Sequence, residues 1–366
     1  MPSRLDRKAN INVLFLPDYS EYNPYQRELA QALRRCGVRV TLSNGVGRFP
    51  LFGAIAACGK PDVLHLHWTH PFTVSRAGSA WRSFVKSVRF LLELLSLKAK
   101  GTSIVWTMHN LASHERRNWR IETLFNRVCA HLYDHVIVHC RFAEQALVQS
   151  YLLPRNSQNR VTIIPHGSYI ATYENSITRE NARQYFGFAQ QHTVFLFLGQ
   201  IRPYKGIFQL IAAFRELDDA RARLLIAGKP MNEAIADEVE LRRGEDRRIQ
   251  ARLAFIPDGE IQAYMNAADV VTLPYQDVLN SGGVLLAMSF GKAVIAPRLG
   301  CIPEVLDDLG ALLYEPDSEN GLLHALCQAV DADLAAMGRH NLERARQFAW
   351  QEIAEKTCQV YRRCLG

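Results

Sequence analysis

A chain of 366 residues, 48% hydrophobic and 22% charged, is long enough for about two domains with a core each, which excludes a disordered or fibrous protein. No run of about eighteen uncharged apolar residues occurs, and Met1 to Asn10 is polar with no apolar stretch after it, so neither a membrane span nor a signal peptide is expected and the protein reads as cytoplasmic. The formal charge of +7 is uneven: residues 1–170 hold 22 Lys and Arg against 10 Asp and Glu, whereas residues 171–366 hold 21 against 26. With no helix-turn-helix, RRM or zinc module in view, the basic half fits an anionic membrane surface or a phosphorylated lipid carrier better than nucleic acid. The eight cysteines form no CxxC pair and no metal-ligand spacing, and read as small buried hydrophobes.

In chain order, Ile11 to Leu16 is an apolar run, and Asn23-Pro24 is an N-cap with proline at the first helical position. Tyr25 to Cys36 has helical periodicity and stops at Gly37. Val38 to Leu42 reads as the next strand. Further short apolar strands are expected at Val63 to His67, Ile104 to Met108, Val136 to His139 and Val161 to Ile164, with helical stretches between them. Such alternation of near-continuous apolar strands with helices predicts a parallel sheet covered on both faces, and ligands at its strand ends.

The polar stretch Tyr169 to Glu180 reads as a linker. After it the plan repeats, with strands at Val194 to Leu198, Arg223 to Ile226, Leu253 to Phe255, Val270 to Leu273 and Ala293 to Ala296. Helices are expected to begin near Gly206, Asn232, Glu260 and Gly283, and a last one to run from about Asn341 to Cys364. No low-complexity segment or short-period repeat is present.

Residues 196–206, Leu-Phe-Leu-Gly-Gln-Ile-Arg-Pro-Tyr-Lys-Gly, carry the most chemistry. A strand ends at Gly199, where backbone can approach a phosphate closely, and Arg202 and Lys205 follow, able to neutralise a diphosphate. A nucleotide diphosphate is the expected ligand. The motif resembles the Arg and Lys that hold the donor diphosphate in glycosyltransferases of the GT-B fold, especially the GT4 family, and matching segments recur from residue 11 to about residue 350.

That resemblance implies an α/β fold of two doubly wound Rossmann-like domains facing across a cleft: residues 1–168 binding the acceptor, basic and membrane-facing; 169–345 binding the nucleotide sugar; and 346–366 a helix crossing back to the first domain. On the donor side, Asn280-Ser281-Gly282-Gly283 enters a helix whose N–H groups are suited to the distal phosphate. Ala287, Met288 and Gly291 match the family's segment, but its two glutamates fall on Val278 and Leu286. Asp277, Asn280 and Glu304 are the polar candidates for replacement. Phe255-Ile-Pro-Asp-Gly-Glu260 resembles the loop that contacts the base, with an ordinary turn as the competing reading. Lys229, after Gly228, is either a third phosphate cation or a solvated lysine.

On the acceptor side, His109 in Thr107-Met-His-Asn110 resembles the family's histidine beside the donor sugar, a position suited to hydrogen bonding and proton movement. His114 and Glu115 extend that loop. His65, His67 and His70 suggest a metal, but no carboxylate or cysteine completes a set nearby, so none is expected. Instead His67 and Trp68 are read as lining the acceptor site and His65 as packing. The first loop, from Asp18 to Tyr25, reaches the acceptor in such enzymes. If configuration is inverted a base is required, and Asp18, Glu21, His109 or Glu115 are available. His166 and Gly167 end the first domain as a turn, or as a hinge or phosphate contact.

Trp81 to Lys100 has a broad apolar face with a basic rim and resembles a helix lying in a membrane interface, the alternative being a core-facing helix with a basic outer face. The resemblance as a whole implies a metal-independent, cofactor-free hexosyltransferase at the inner face of the plasma membrane. It would move sugar from a nucleotide-diphosphate sugar to a saccharide or polyprenyl-diphosphate-linked acceptor in bacterial polysaccharide synthesis, with retention of configuration. Inversion, a catalytically degenerate nucleotide-sugar binder and a sugar-nucleotide epimerase remain as alternatives.

Overall fold

In a computed structural model, residues 11–21, 23–75, 79–111, 119–152 and 159–366 are described. The chain divides into two compact units, one of Met1–Gly167 with Ala349–Gly366 and one of Ser168–Phe348. The first comprises β1 (Asn12–Leu16), α1 (Pro24–Arg35), β2 (Arg39–Leu42), α2 (Pro50–Cys58), β3 (Val63–Leu66), α3 (His70–Thr73), α4 (Ala80–Ala99), β4 (Ser103–Thr107), α5 (Trp119–Leu132), β5 (His135–Val138), α6 (Arg141–Tyr151) and β6 (Val161–Ile163). The second runs through α7 (Arg179–Phe186), β7 (Thr193–Leu198), α8 (Ile207–Glu216), β8 (Ala222–Ala227), α9 (Glu233–Arg243), β9 (Ile249–Arg252), α10 (Ile261–Ala267), β10 (Val270–Thr272), α11 (Gly282–Ser289), β11 (Ala293–Pro297), α12 (Ile302–Val305), β12 (Ala311–Tyr314), α13 (Gly321–Asp331) and α14 (Leu334–Arg346). The last helix, α15 (Trp350–Leu365), returns to the first unit.

Each unit is built on a six-stranded parallel sheet, ordered β2-β1-β3-β4-β5-β6 in the first and β12-β11-β10-β7-β8-β9 in the second. Strands β3, β4 and β5 are buried along their whole length, as two covered faces demand. The order reverses between β1 and β3 in one sheet and between β7 and β10 in the other, so a crevice opens beyond the carboxyl ends of those pairs. The residues after Leu16, Leu66, Leu198 and Thr272 therefore meet in each unit.

Local chemistry sets the helix boundaries. The Asn23 side chain accepts from Tyr25 N and Pro24 opens α1, whose Tyr25, Leu29 and Leu33 join Ile353, Val360 and Tyr361 of α15 in one core. In the second unit the fully buried Arg183 pairs with Asp269 and donates to the carbonyls of Ala267, Ala189, Gln190 and His192.

Five expectations need correction. Leu253 to Phe255 is not the strand; β9 is the preceding Ile-Gln-Ala-Arg, an edge strand whose alternating polar residues hid it, and Phe255 lies exposed beyond it. A sixth strand, β12, was not foreseen. The expected helix from Asn341 to Cys364 is two helices broken between Arg346 and Trp350. The expected linker is anchored, since Tyr169 is buried and Glu180 already lies in α7. Among the cysteines, Cys129, Cys140, Cys301 and Cys358 are buried as expected, whereas Cys58 and Cys327 are exposed.

Removing Asp269 strands the Arg183 charge inside the second unit, so Asp269→Ala is expected to lose about 3–5 kcal/mol in urea unfolding. Glu238→Ala, which removes the i,i+4 partner of the exposed Arg242, should lose under about 1 kcal/mol.

Candidate functional site

The first unit gathers histidines at the carboxyl ends of its strands. Strand alternation puts His65 and His67 on one side of the sheet, where their rings stack at 4.3 Å. His65 is not mere packing: it is fully buried, with Nδ1 2.6 Å from the Tyr361 hydroxyl and Nε2 2.7 Å from Thr107 Oγ1. His67 Nδ1 lies 3.3 Å from His109 Nε2, and His109 Nδ1 lies 3.4 Å from His139 Nε2. His139 Nδ1 in turn faces the carbonyl of Ile164 at 2.9 Å. His67 Nε2 is buried and has no hydrogen-bond partner among the described residues.

Tyr25, expected to contact an acceptor, is instead the buried hub of this cluster. Its ring packs against His67, His109, His139, His166 and Trp350, and its hydroxyl bonds Thr107. Burial leaves all five histidines neutral at pH 7: desolvation, reinforced for some by neighbouring imidazoles, takes His65 and His166 to about 3, His139 to about 4, and His67 and His109 well below their ordinary value. His139 was missed in the sequence because it reads simply as the end of a strand. Its signal was three histidines following β3, β4 and β5 of one parallel sheet.

Other expected residues stand as follows. Trp68 is half-buried and stacks on His109 at 4.3 Å, and Asn110 is half-buried beside it in sequence. Asp18 accepts from the backbone and hydroxyl of Ser20, so one of its oxygens shapes its own loop. His166 Nδ1 faces the carbonyl of Gly167, and Gly167 is glycine for a packing reason, because a Cβ there would lie 2.3 Å from the Trp350 ring. His114 and Glu115 lie outside the described residues. Among the described residues no group of three or more His, Cys, Asp or Glu is arranged to hold a metal ion.

In the second unit, β7 is followed by Gly199 and β8 by Gly228, both at positive φ. A Cβ on Gly228 would sit 1.8 Å from the Gly199 carbonyl oxygen, so Gly228 is glycine because the two strand ends touch. Lys205 comes next to this floor, its Nζ 3.3 Å from where a Gly199 Cβ would be. Gly206, left-handed at φ 73, lies against Pro274 O and opens α8 without a side-chain cap. Arg202 bonds Gln200. Desolvation, then the Arg202 charge, lowers the Lys205 ammonium to about 8, a cation held short of an anionic partner.

The Ser281 hydroxyl caps α11 by accepting from Val284 N and bonds the Tyr275 hydroxyl at 3.0 Å, so its side chain is engaged within the fold. Gly282 and Gly283, half-exposed, form the first turn of that helix, and Asn280 is half-buried before it. Val278 and Leu286 pack against the unit's core. Lys229 is exposed, and Glu260 is half-buried at the start of α10 without capping it.

Residues 192–332 match the family model described as glycosyl transferases group 1. A GDP-mannose:glycolipid 4-beta-D-mannosyltransferase of Xanthomonas campestris pv. campestris is 30% identical over 320 residues, covering 85% of this chain and 82% of that protein. Among solved structures, sucrose-phosphate synthase from Thermosynechococcus elongatus superposes with a TM-score of 0.73 at 19% identity, covering 96% of this chain and 98% of its own. Anabaena HepE, in complex with UDP and glucose, gives 0.72 at 16%, covering 95% and 98%. The fold of this chain is thus the GT-B fold expected from its sequence.

Gly228→Ala is expected to cost about 2–3 kcal/mol through strain and overpacking, read as a Tm drop of roughly 4–10 °C. Gly259→Ala, with no atom within 4 Å of the added carbon, should leave Tm unchanged.

Proposed function

The chain belongs to the group 1 glycosyl transferases, and from that premise we propose that it moves mannose from GDP-mannose to a hydroxyl of a glycolipid acceptor, inverting the anomeric configuration. That it is a glycosyltransferase follows from the family. The finer reading is carried by one observation, the relative matched over 85% of this chain, whose name gives donor, acceptor class and a beta product. GDP-mannose carries its sugar in alpha linkage, so a beta product needs inversion. The family resemblance alone implied retention; Val278 and Leu286, standing where the family has its acid pair, favour the change.

The chemistry asked of the second unit is to stabilise a leaving diphosphate. Gly199 and Gly228 leave its floor without side chains, Arg202 and Lys205 supply positive charge, and the open first turns of α8 and α11 supply N–H groups. A metal is not required by this reading, because the two cations carry the charge it would neutralise. Inversion also needs a base at the acceptor hydroxyl, which belongs to the first unit.

For the acceptor's lipid, the support is a second apolar stripe on α4. Ser83, Ser87, Phe90, Leu94 and Leu97 face inward, yet Trp81, Phe84, Leu92 and Leu95 are exposed, with Leu124 and Val128 of α5 also exposed. Trp81 is 71% exposed and Arg82 stands beside it. No helix among the described residues is long and apolar enough to cross a membrane, so this face would lie in the interface.

Thermal stabilisation by GDP, UDP, ADP and dTDP tests the donor: GDP alone should raise Tm, and Arg202→Ala/Lys205→Ala should abolish the shift. Stabilisation by another nucleotide and not GDP overturns the donor assignment. GDP affinity should weaken above pH 8 by up to roughly tenfold per unit, because a diphosphate needs Lys205 protonated and its value in the free protein is about 8. One-bond carbon–proton coupling at the product's anomeric carbon reads the stereochemistry, and an alpha product rules out inversion. Trp81→Ser/Leu92→Ser should weaken binding to anionic vesicles at least tenfold, since each buried apolar side chain contributes about 1.5–3 kcal/mol.

A further inference from the structure

Three histidines of the first unit form a chain whose direction is set at one end. The Ile164 carbonyl can only accept, so His139 Nδ1 carries a proton and donates to it. Neutral His139 then has a bare Nε2, which accepts from Nδ1–H of His109. Neutral His109 in turn has a bare Nε2, which accepts from Nδ1–H of His67. What remains is a lone pair on His67 Nε2, inside the protein and without a partner among the described residues. An acceptor atom left unmatched in this way costs stability unless an O–H or N–H reaches it.

We propose that His67 Nε2 receives the proton of the acceptor hydroxyl, and that His109 and His139 are positioning residues that hold His67 in the tautomer which leaves that nitrogen bare. This rests on the inverting transfer proposed above and supplies its base. In the step, the acceptor O–H bond breaks and its proton bonds to His67 Nε2. The oxygen's electron pair forms the new bond to the anomeric carbon, while the bond from that carbon to the diphosphate breaks with its pair on the phosphate oxygen. The imidazolium so formed keeps its Nδ1–H on His109 Nε2, and that bond strengthens when its donor is charged. His109, expected to do the proton work, has both ring nitrogens occupied, by His67 and by His139.

Surroundings agree with this assignment. The titratable groups facing His67 are His65, stacked on it, His109, and Tyr25 from α1; His139 and His166 lie behind them, and Tyr361 of α15 holds His65. Burial first, then the neighbouring imidazoles, keeps His67 neutral before the acceptor arrives; the same burial makes its imidazolium costly, a cost that the charged Nδ1–H bond to His109 Nε2 offsets in part. Thr107 and Tyr361 fix His65 so that its ring walls one side of His67.

Two measurements on the full chain decide the matter. Nitrogen-15 NMR of the histidine rings reads tautomers without any substrate: His67, His109 and His139 should each show a protonated Nδ1 and a bare Nε2, and a protonated Nε2 on His67 overturns the relay. Kinetics then test its use. In His67→Gln the side-chain amide still donates to His109 but offers no base, so kcat should fall at least a hundredfold with KM for GDP-mannose within about threefold. An unchanged kcat overturns the proposal. His139→Leu, which releases the tautomer, should lower kcat and alter the acid limb of the pH profile. His139→Gln, whose amide can donate to Ile164 O and accept from His109, should recover most of that loss; equal loss in both variants overturns the positioning role. A wild type that binds no nucleotide and transfers no sugar would instead sink the transferase reading, while the NMR result would still stand for the relay.

Discussion

Both units depend on one constraint, that a parallel sheet buried on both faces admits a polar side chain along its strands only where a partner satisfies it, as Tyr361 and Thr107 satisfy His65. Backbone groups are satisfied strand to strand, helices cover the faces, and most interior positions go to apolar side chains. Polar chemistry is thereby pushed to where strands stop. In one unit the strand ends carry His67, His109, His139 and His166, and in the other Gly199 and Gly228, with Arg202 and Lys205 in the loop after β7. The order reversals in the two sheets then decide which of those ends lie together.

The two units solve opposite electrostatic problems. The strand-end floor of the second unit is backbone and cation: Gly228 approaches Gly199 until a single Cβ would collide, and Lys205 is held desolvated beside Arg202. The histidine cluster has no charge to offer. Five imidazoles and Tyr25 share one buried volume, and their mutual proximity and desolvation keep them neutral. A neutral imidazole is both donor and acceptor, so a row of them is directional, and the direction comes from one backbone carbonyl at its end.

Features outside the strands show the same economy of roles. Ser281 and Asn23 hold helix starts, Gly167 lets Trp350 close on the chain, and Asp18 holds its own loop. These are positions where a polar or small residue near a candidate site does structural service, and motif matching alone does not separate the two uses. The outer stripe of α4 is the reverse case: Trp81, Leu92 and Leu95 stay exposed and Phe84 reaches only as far as Phe125, while the opposite stripe serves the core.

The sequence by itself determined the two doubly wound sheets and ten of their strands within a residue or two, because apolar runs bounded by helix signals are local facts. It also determined the Gly199, Arg202 and Lys205 loop and the helix start at Ser281, since strand end, cation spacing and cap are adjacent in the chain. It did not determine β9 or β12, where sheet-edge position and pairing outweigh hydrophobicity, nor the break before Trp350, which the packing against Gly167 and Tyr25 settles. The histidines were visible one at a time. Only the tertiary structure decided that Tyr25 is their hub, that His109 has no nitrogen to spare and that His139 matters, because hydrogen bonds between residues 30 and 42 positions apart exist only once neighbouring strands are in register.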